Sequence, residues 1–127
     1  MAFSNRLKSE SFIASGDHSG LQYHIVEILA AHEVGAAVAG AGFGVLQNKP
    51  QNDEHATVAV EGITKVKAGA AVSVGNYITS AGSGWASAVT SGGSTKKVVG
   101  RALTAAASGS VFSMEIDRFV SAATLAI

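Results

Sequence analysis

Glycine breaks this chain before any apolar stretch grows to the length of a helix face. Fifteen glycines are spread through 127 residues. An amphipathic helix needs apolar residues recurring every three to four positions over roughly ten residues or more, and no such period is sustained. What recurs is alternation over short runs with turn residues between them. Short strands with turn signals about every 8–12 residues specify an all-β sandwich or barrel. A doubly wound α/β fold needs crossover helices, and the chain has no pattern for them.

The alternation can be followed along the chain. Leu21, Tyr23, Ile25, Glu27 and Leu29 share one face of an expected strand, with Gln22, His24, Val26 and Ile28 on the other. Glu27 to Ala31 contains good helix formers, but the glycines that follow favour the strand. Val45 and Leu46 lead into Pro50, which ends a strand and opens a polar turn. From Ala56 to Val60 alternation is clean, and its parity then slips at Glu61-Gly62 before Ile63 to Val66. A slip at glycine is the signature of a β-bulge or tight bend. Val72, Val74, Tyr77 and Ile78 give another short strand, interrupted by Gly75-Asn76. Trp85 sits between Gly84 and Ala86 in an expected hairpin, and Val98, Val99 and Leu103 flank Gly100. Ala105 to Gly109 reads as a turn or one short helical piece. Val111 to Ile116 is the clearest half-buried strand, with Phe112, Met114 and Ile116 on one face and Ser113 and Glu115 on the other.

Charge excludes two classes of partner. Lys plus Arg equals Asp plus Glu, nine of each. Nucleic acid and anionic membranes both call for a positive excess, so neither is expected. With no cysteine, neither disulfides nor thiolate metal sites can form. The first ten residues carry charges and no apolar core of a secretory signal. Val34 to Leu46 is too short to cross a bilayer. A soluble protein made in the cytoplasm is expected. Much of the apolar content is alanine, and aromatics make up only 6%. Such a core is thin, which points to stabilisation by association.

The motifs that suggest chemistry do not hold up. Gly40-Ala41-Gly42-Phe43-Gly44 has the spacing G-x-G-x-G, not the G-x-G-x-x-G that opens a helix around a pyrophosphate. His18, His24, His32 and His55 show no zinc spacing, and His32-Glu33 and Glu54-His55 would point to opposite faces of a strand. They read as surface or loop histidines. No serine lies in G-x-S-x-G. No catalytic, cofactor or metal residue is assigned, and no cofactor is expected. The rival reading is a small barrel hydrolase using His24 or His55. A convergent pocket of histidine and acid would favour it, and a glycine-lined surface would count against it.

Several segments taken in order resemble one family. Gly44-Val45-Leu46-Gln47-Asn48-Lys49-Pro50, Ala56 to Val66, Val72 to Ile78, Val98 to Leu103, Ala105 to Gly109 and Val111 to Ile116 are similar to elements of small phage capsid cement, or head decoration, proteins. The likeness runs from about Leu21 to Asp117. Asn76 stands where that family tends to have an acid. The resemblance implies a compact β-barrel or β-tulip-like domain, often trimeric, on the outside of an icosahedral head. It implies binding to the major capsid protein, clamping of adjacent subunits, and a virion location. Another virion component, such as a tail or neck protein, is the alternative.

Three regions are therefore expected: an extended N-terminal arm over 1–20, a barrel domain over 21–117, and an apolar tail over 118–127. The arm carries Phe3, Leu7 and Phe12 in a stretch too polar to build its own core, with Arg6 and Lys8 between. Their spacing fits neither a strand face nor a helix stripe. Phe3, Arg6, Leu7, Lys8 and Phe12 are the expected capsid-binding residues, acting as anchors in partner pockets.

Overall fold

The structure is a computed structural model, and it describes residues 7–89 and 97–116. Among these residues all regular structure is strand. The strands are β1 (Lys8–Ala14), β2 (Ile25–Ala30), β3 (Glu33–Ala36), β4 (Gly44–Leu46), β5 (His55–Lys67), β6 (Tyr77–Gly82), β7 (Trp85–Ala88), β8 (Gly100–Ala102) and β9 (Val111–Ile116). The all-β expectation holds.

The pairing order is β1-β3-β2-β4-β5-β9-β8-β6-β7, with β1 also paired to β5. That extra pairing makes a closed circuit of β1, β3, β2, β4 and β5. Only β1–β3 is parallel in it; the other four pairings are antiparallel. The second half of β5 continues into β9, β8, β6 and β7. This sheet also curls back towards its start. Ala68, just past β5, bridges Ala86 of β7, and the Gly69 N–H donates to the Ala86 carbonyl at 2.8 Å.

One long strand thus serves both halves, and a bend in it makes that possible. Gly62 has φ +103°, a left-handed value that glycine reaches without strain. Opposite it the β1 register skips a residue, from Lys8↔Glu61 to Ser9↔Ala59. The skip reverses which side of the strand faces which core. Before it, Val58 enters the core of the closed circuit with Ala14, Val26, Val34, Leu46 and Ala56. Ala59, on the opposite face, joins Val66, Ile78, Val99, Phe112 and Met114 in the second core. The slip read at Glu61-Gly62 is therefore real.

Strands between the two cores bury both faces. Ile25 and Val26 are adjacent and both buried, as are Val45 with Leu46 and Val58 with Ala59, and each pair divides between the cores. Sandwiched strands read as continuous apolar pairs rather than as alternation. β9 behaves as its sequence requires, with Phe112, Met114 and Ile116 buried and Val111 and Glu115 exposed.

The strand read over Val72 to Ile78 forms only from Tyr77, Val72 making a single bridge to Ala106 and Val74-Gly75 a turn, and two larger expectations change. The strand anticipated from Leu21 begins only at Ile25. Tyr23 sits at φ +69°, and Leu21 and His24 donate turn bonds to His18 and Leu21. The second change concerns the arm. Lys8–Ala14 is a strand of the domain itself, paired with β5 from Lys8 to Ile13. Phe12 is part-buried in the first core, its ring edge-on to Phe43 at 5.4 Å. The expectation that the arm's apolar residues have no site in their own domain fails for Phe12. The missing partner was a strand more than forty residues away. Phe3 and Arg6, and the tail over 118–127, lie outside the described residues.

Candidate docking surface

β1 is a strand with one used edge and one open edge. The Ala14 N–H donates to Glu54, towards β5, whereas the Ile13 N–H donates to His32 at 2.7 Å, on the opposite side. Alternation along the strand then places the N–H and C=O groups of Phe12 and Glu10 towards β5 and those of Ser11 and Ser9 outward. β3 reaches β1 only at Ile13 and Ala14. Among the described residues nothing pairs with the outward backbone groups of Ser9 and Ser11. The four side chains from Lys8 to Ser11 are all exposed. The Ser11 hydroxyl lies 2.9 Å from His55 Nε2 across the ladder. An open strand edge is a template for another strand.

Leu7, immediately before β1, lines a cleft of about 280 Å³ with Tyr23, Gln47, Ile63, Lys65 and Ser113. Gln47 is fixed there by donating Nε2 to Thr64 Oγ1 at 2.8 Å. Leu7 and Lys8 thus stand together where the chain enters the domain, beside a cleft and an open edge. Of the sequence-derived docking residues, the structure brings these two together and turns Phe12 inward.

A second exposed surface was missed. Ile28 and Leu29 are 58% and 53% exposed, and exposed Ala30, Ala31 and His32 follow them at the β2–β3 hairpin. His32 takes φ +60° to close the turn. In the sequence these residues look like the end of a buried alternating strand, because the bulge between Ile28 and Ala30 cannot be read locally.

Trp85 forms part of a trough of about 240 Å³ with Gly69, Ala81, Gly82, Ser108 and Gly109. No titratable group lines it. His24 lies behind Trp85, ring centroids 4.7 Å apart. It is only 4% exposed, so the surface-histidine reading is wrong for this residue. Its Nδ1 donates to the Ser83 carbonyl at 3.3 Å. Burial lowers its pKa, and the nearby positive charge of Lys67 adds to that, against the Ser83 hydrogen bond, which raises it. A neutral imidazole set edge-on to the indole and bonded to backbone is a packing element. His55 is exposed, and its nitrogen contacts the Ser11 hydroxyl. Among the described residues no cluster of three or more His, Cys, Asp or Glu could hold a metal. Nor, among the described residues, is any helix long and apolar enough to cross a membrane. Gly40 to Gly44 forms a bend into β4, and a Cβ on Gly42 would collide with Ile25.

Geometry of this kind defines a structural β-module whose distinctive features are surfaces and a strand edge. A family model described as phage cement protein matches residues 14–117, and the chain belongs to the phage cement protein family. It is a capsid-stabilising structural component of the virion. Among solved structures, the head fiber gp8.5 N base of bacteriophage phi29 shares the fold, with TM-score 0.69. Identity is 18%, over 87% of this chain and 94% of that one. No curated protein sequence matches. The family match begins at Ala14, so Lys8 to Ile13 of β1 precede the matched residues.

Proposed function

We propose that this protein attaches to the outside of the phage head and links adjacent major capsid protein subunits through its N-terminal stretch. The observation that carries this reading is the position of Leu7 and Lys8. They are exposed, they stand beside a cleft, and they precede the residues that the family model matches. A feature outside the matched residues is suited to matching one particular capsid. Phe3, Arg6, Leu7 and Lys8 form the contact, Phe3 and Leu7 as apolar anchors, and Arg6 and Lys8 pairing with capsid acids to set register. Phe12 holds the strand that presents them.

The protein works by binding and has no catalytic role. Each copy buries a modest area, and repetition over the lattice makes attachment stable. Copies associate as homotrimers, which covers apolar surface that a thin Ala/Gly core leaves exposed. Neither nucleic acid nor membrane is a partner. The test is co-sedimentation of capsids with Leu7→Asp and Lys8→Glu variants. Loss of binding with unchanged unfolding supports the contact, and wild-type binding by both variants moves it elsewhere on the domain.

A further inference from the structure

The open edge of β1 carries its charges in a self-complementary order. Lys8, Ser9 and Glu10 follow one another along it, all three exposed. Lys8 and Glu10 are two residues apart and so share one face of the strand. Among the described residues neither forms an ion pair. Within the copy Lys8 stands opposite Glu61 of β5, and Glu10 opposite Val58.

We propose that β1 pairs antiparallel with β1 of a second copy, across a two-fold axis centred on Ser9. An open strand edge is a template for another strand, and two identical edges that meet about a two-fold axis must be self-complementary. Four centres lie between Lys8 and Ser11. A centre at Lys8 sets Lys8 against itself, one at Glu10 sets Glu10 against itself, and like charges directly opposite destabilise a ladder. A centre at Ser11 sets Ser9 against Ile13, whose outward N–H already donates to His32. A centre at Ser9 sets Lys8 of each copy against Glu10 of the other, which makes two opposite-charge pairs. Both fall where facing residues exchange no hydrogen bonds and their side chains approach most closely. Ser9 then meets Ser9, and Ser11 meets Leu7, with the outward N–H and C=O groups of both serines bonded. This overlap of Leu7 to Ser11 ends before Ile13, where β3 occupies the edge. The Lys8 ammonium has three donors, enough for the second copy's carboxylate and a capsid acid together. A trimer closes about a three-fold axis, so a two-fold contact joins copies of different trimers. An icosahedral shell has axes of both kinds. Free protein suffices for the pairing, which therefore stands or falls apart from capsid docking.

The chain has no cysteine, so single cysteines report the register. Facing residues of a hydrogen-bonded pair have Cα atoms about 5.5 Å apart, inside the disulfide range of roughly 4.4–6.8 Å. Two Ser11 residues would be four positions out of step, about 13 Å along the strands. Concentrated free Ser9→Cys protein, oxidised and run without reductant, should give a product of two chains and none larger, at least about tenfold faster than Ser11→Cys. In the Ser9→Cys background, Glu10→Lys should slow cross-linking about tenfold by setting lysine against Lys8. Adding Lys8→Glu reverses both charges together and should restore the rate to within about threefold. Equal rates for the two cysteine variants, a faster Ser11→Cys, or a double reversal that stays slow overturns the pairing. Faster cross-linking after Lys8→Ser and Glu10→Ser together also overturns it, because the two charges would then guard the edge against a second strand.

Discussion

The Phe12 ring meets the Phe43 ring edge-on, at 5.4 Å between centroids and 70° between planes. One residue comes from a polar N-terminal stretch and the other from a glycine-rich bend. Together they close the first core where β1 completes the circuit of strands. β1 is consequently part of the folded unit, and only what precedes Lys8 is left to act as an arm.

That contact sets the first prediction. Phe12→Ala should lower unfolding free energy by roughly 2–4 kcal/mol, less than for a fully buried phenylalanine but including the lost ring pair. Deleting residues 2–6 should leave the melting temperature unchanged, whereas deleting 2–14 should lower it, because the β5 ladder and Ala14 go too. Equal melting temperatures for the two truncations, measured by calorimetry, would show that β1 is dispensable.

A second prediction concerns backbone approach. A Cβ on Gly100 would lie 2.3 Å from the Glu115 carbonyl oxygen and 2.9 Å from the Met114 side chain. The carbonyl sits in the β8–β9 ladder and cannot swing aside. Gly100→Ala should cost at least about 2 kcal/mol, read from denaturant midpoints. Gly75→Ala provides a contrast, because no atom lies within 4 Å of its Cβ position although its φ is +87°. Its cost should be the smaller one, from backbone strain alone.

The sequence displays whatever is set locally. β9 can be read residue by residue because one face of it meets a core and the other meets water. The slip at Glu61-Gly62 is legible because glycine marks the bend, and the Trp85 hairpin because Gly84 can take φ +78°. β1 is illegible for the opposite reason. From Lys8 to Ser11 both faces are solvent-exposed, so no alternation survives, and only long-range pairing makes it a strand. His24 is hidden in the same way, since its cover, Trp85 and Ser83, comes from a hairpin some sixty residues later. The exposed surfaces are half legible: Leu7 and Lys8 stand out as charge and bulk on a polar arm, but Ile28 and Leu29 do not.

A third prediction follows from His24. Its pKa is lowered in the folded state, chiefly by burial, so the unfolded chain binds a proton that the folded chain resists. Stability from this group is complete above the ordinary histidine pKa of about 6.5. It declines as pH falls from there towards the lowered folded value. Urea unfolding at pH 7.5 and 5.5 should show wild type losing stability on acidification, and His24→Gln losing less. Identical pH dependence in the two proteins would contradict the assignment.

A fourth prediction separates the two exposed surfaces. Leu7→Asp combined with Lys8→Glu should abolish most capsid binding, while Leu29→Asp at the β2–β3 tip should leave it within about twofold, as an exposed change away from the contact. The reverse pattern would place docking on the hairpin.

The cementing role itself is most directly tested by pelleting purified full-length protein with expanded capsids and with unexpanded procapsids, then heating the decorated particles. Saturable co-sedimentation with expanded capsids alone, together with a raised temperature of capsid disruption, is the predicted result. Protein that stays in the supernatant with both particles, or that binds without changing capsid stability, would contradict the account.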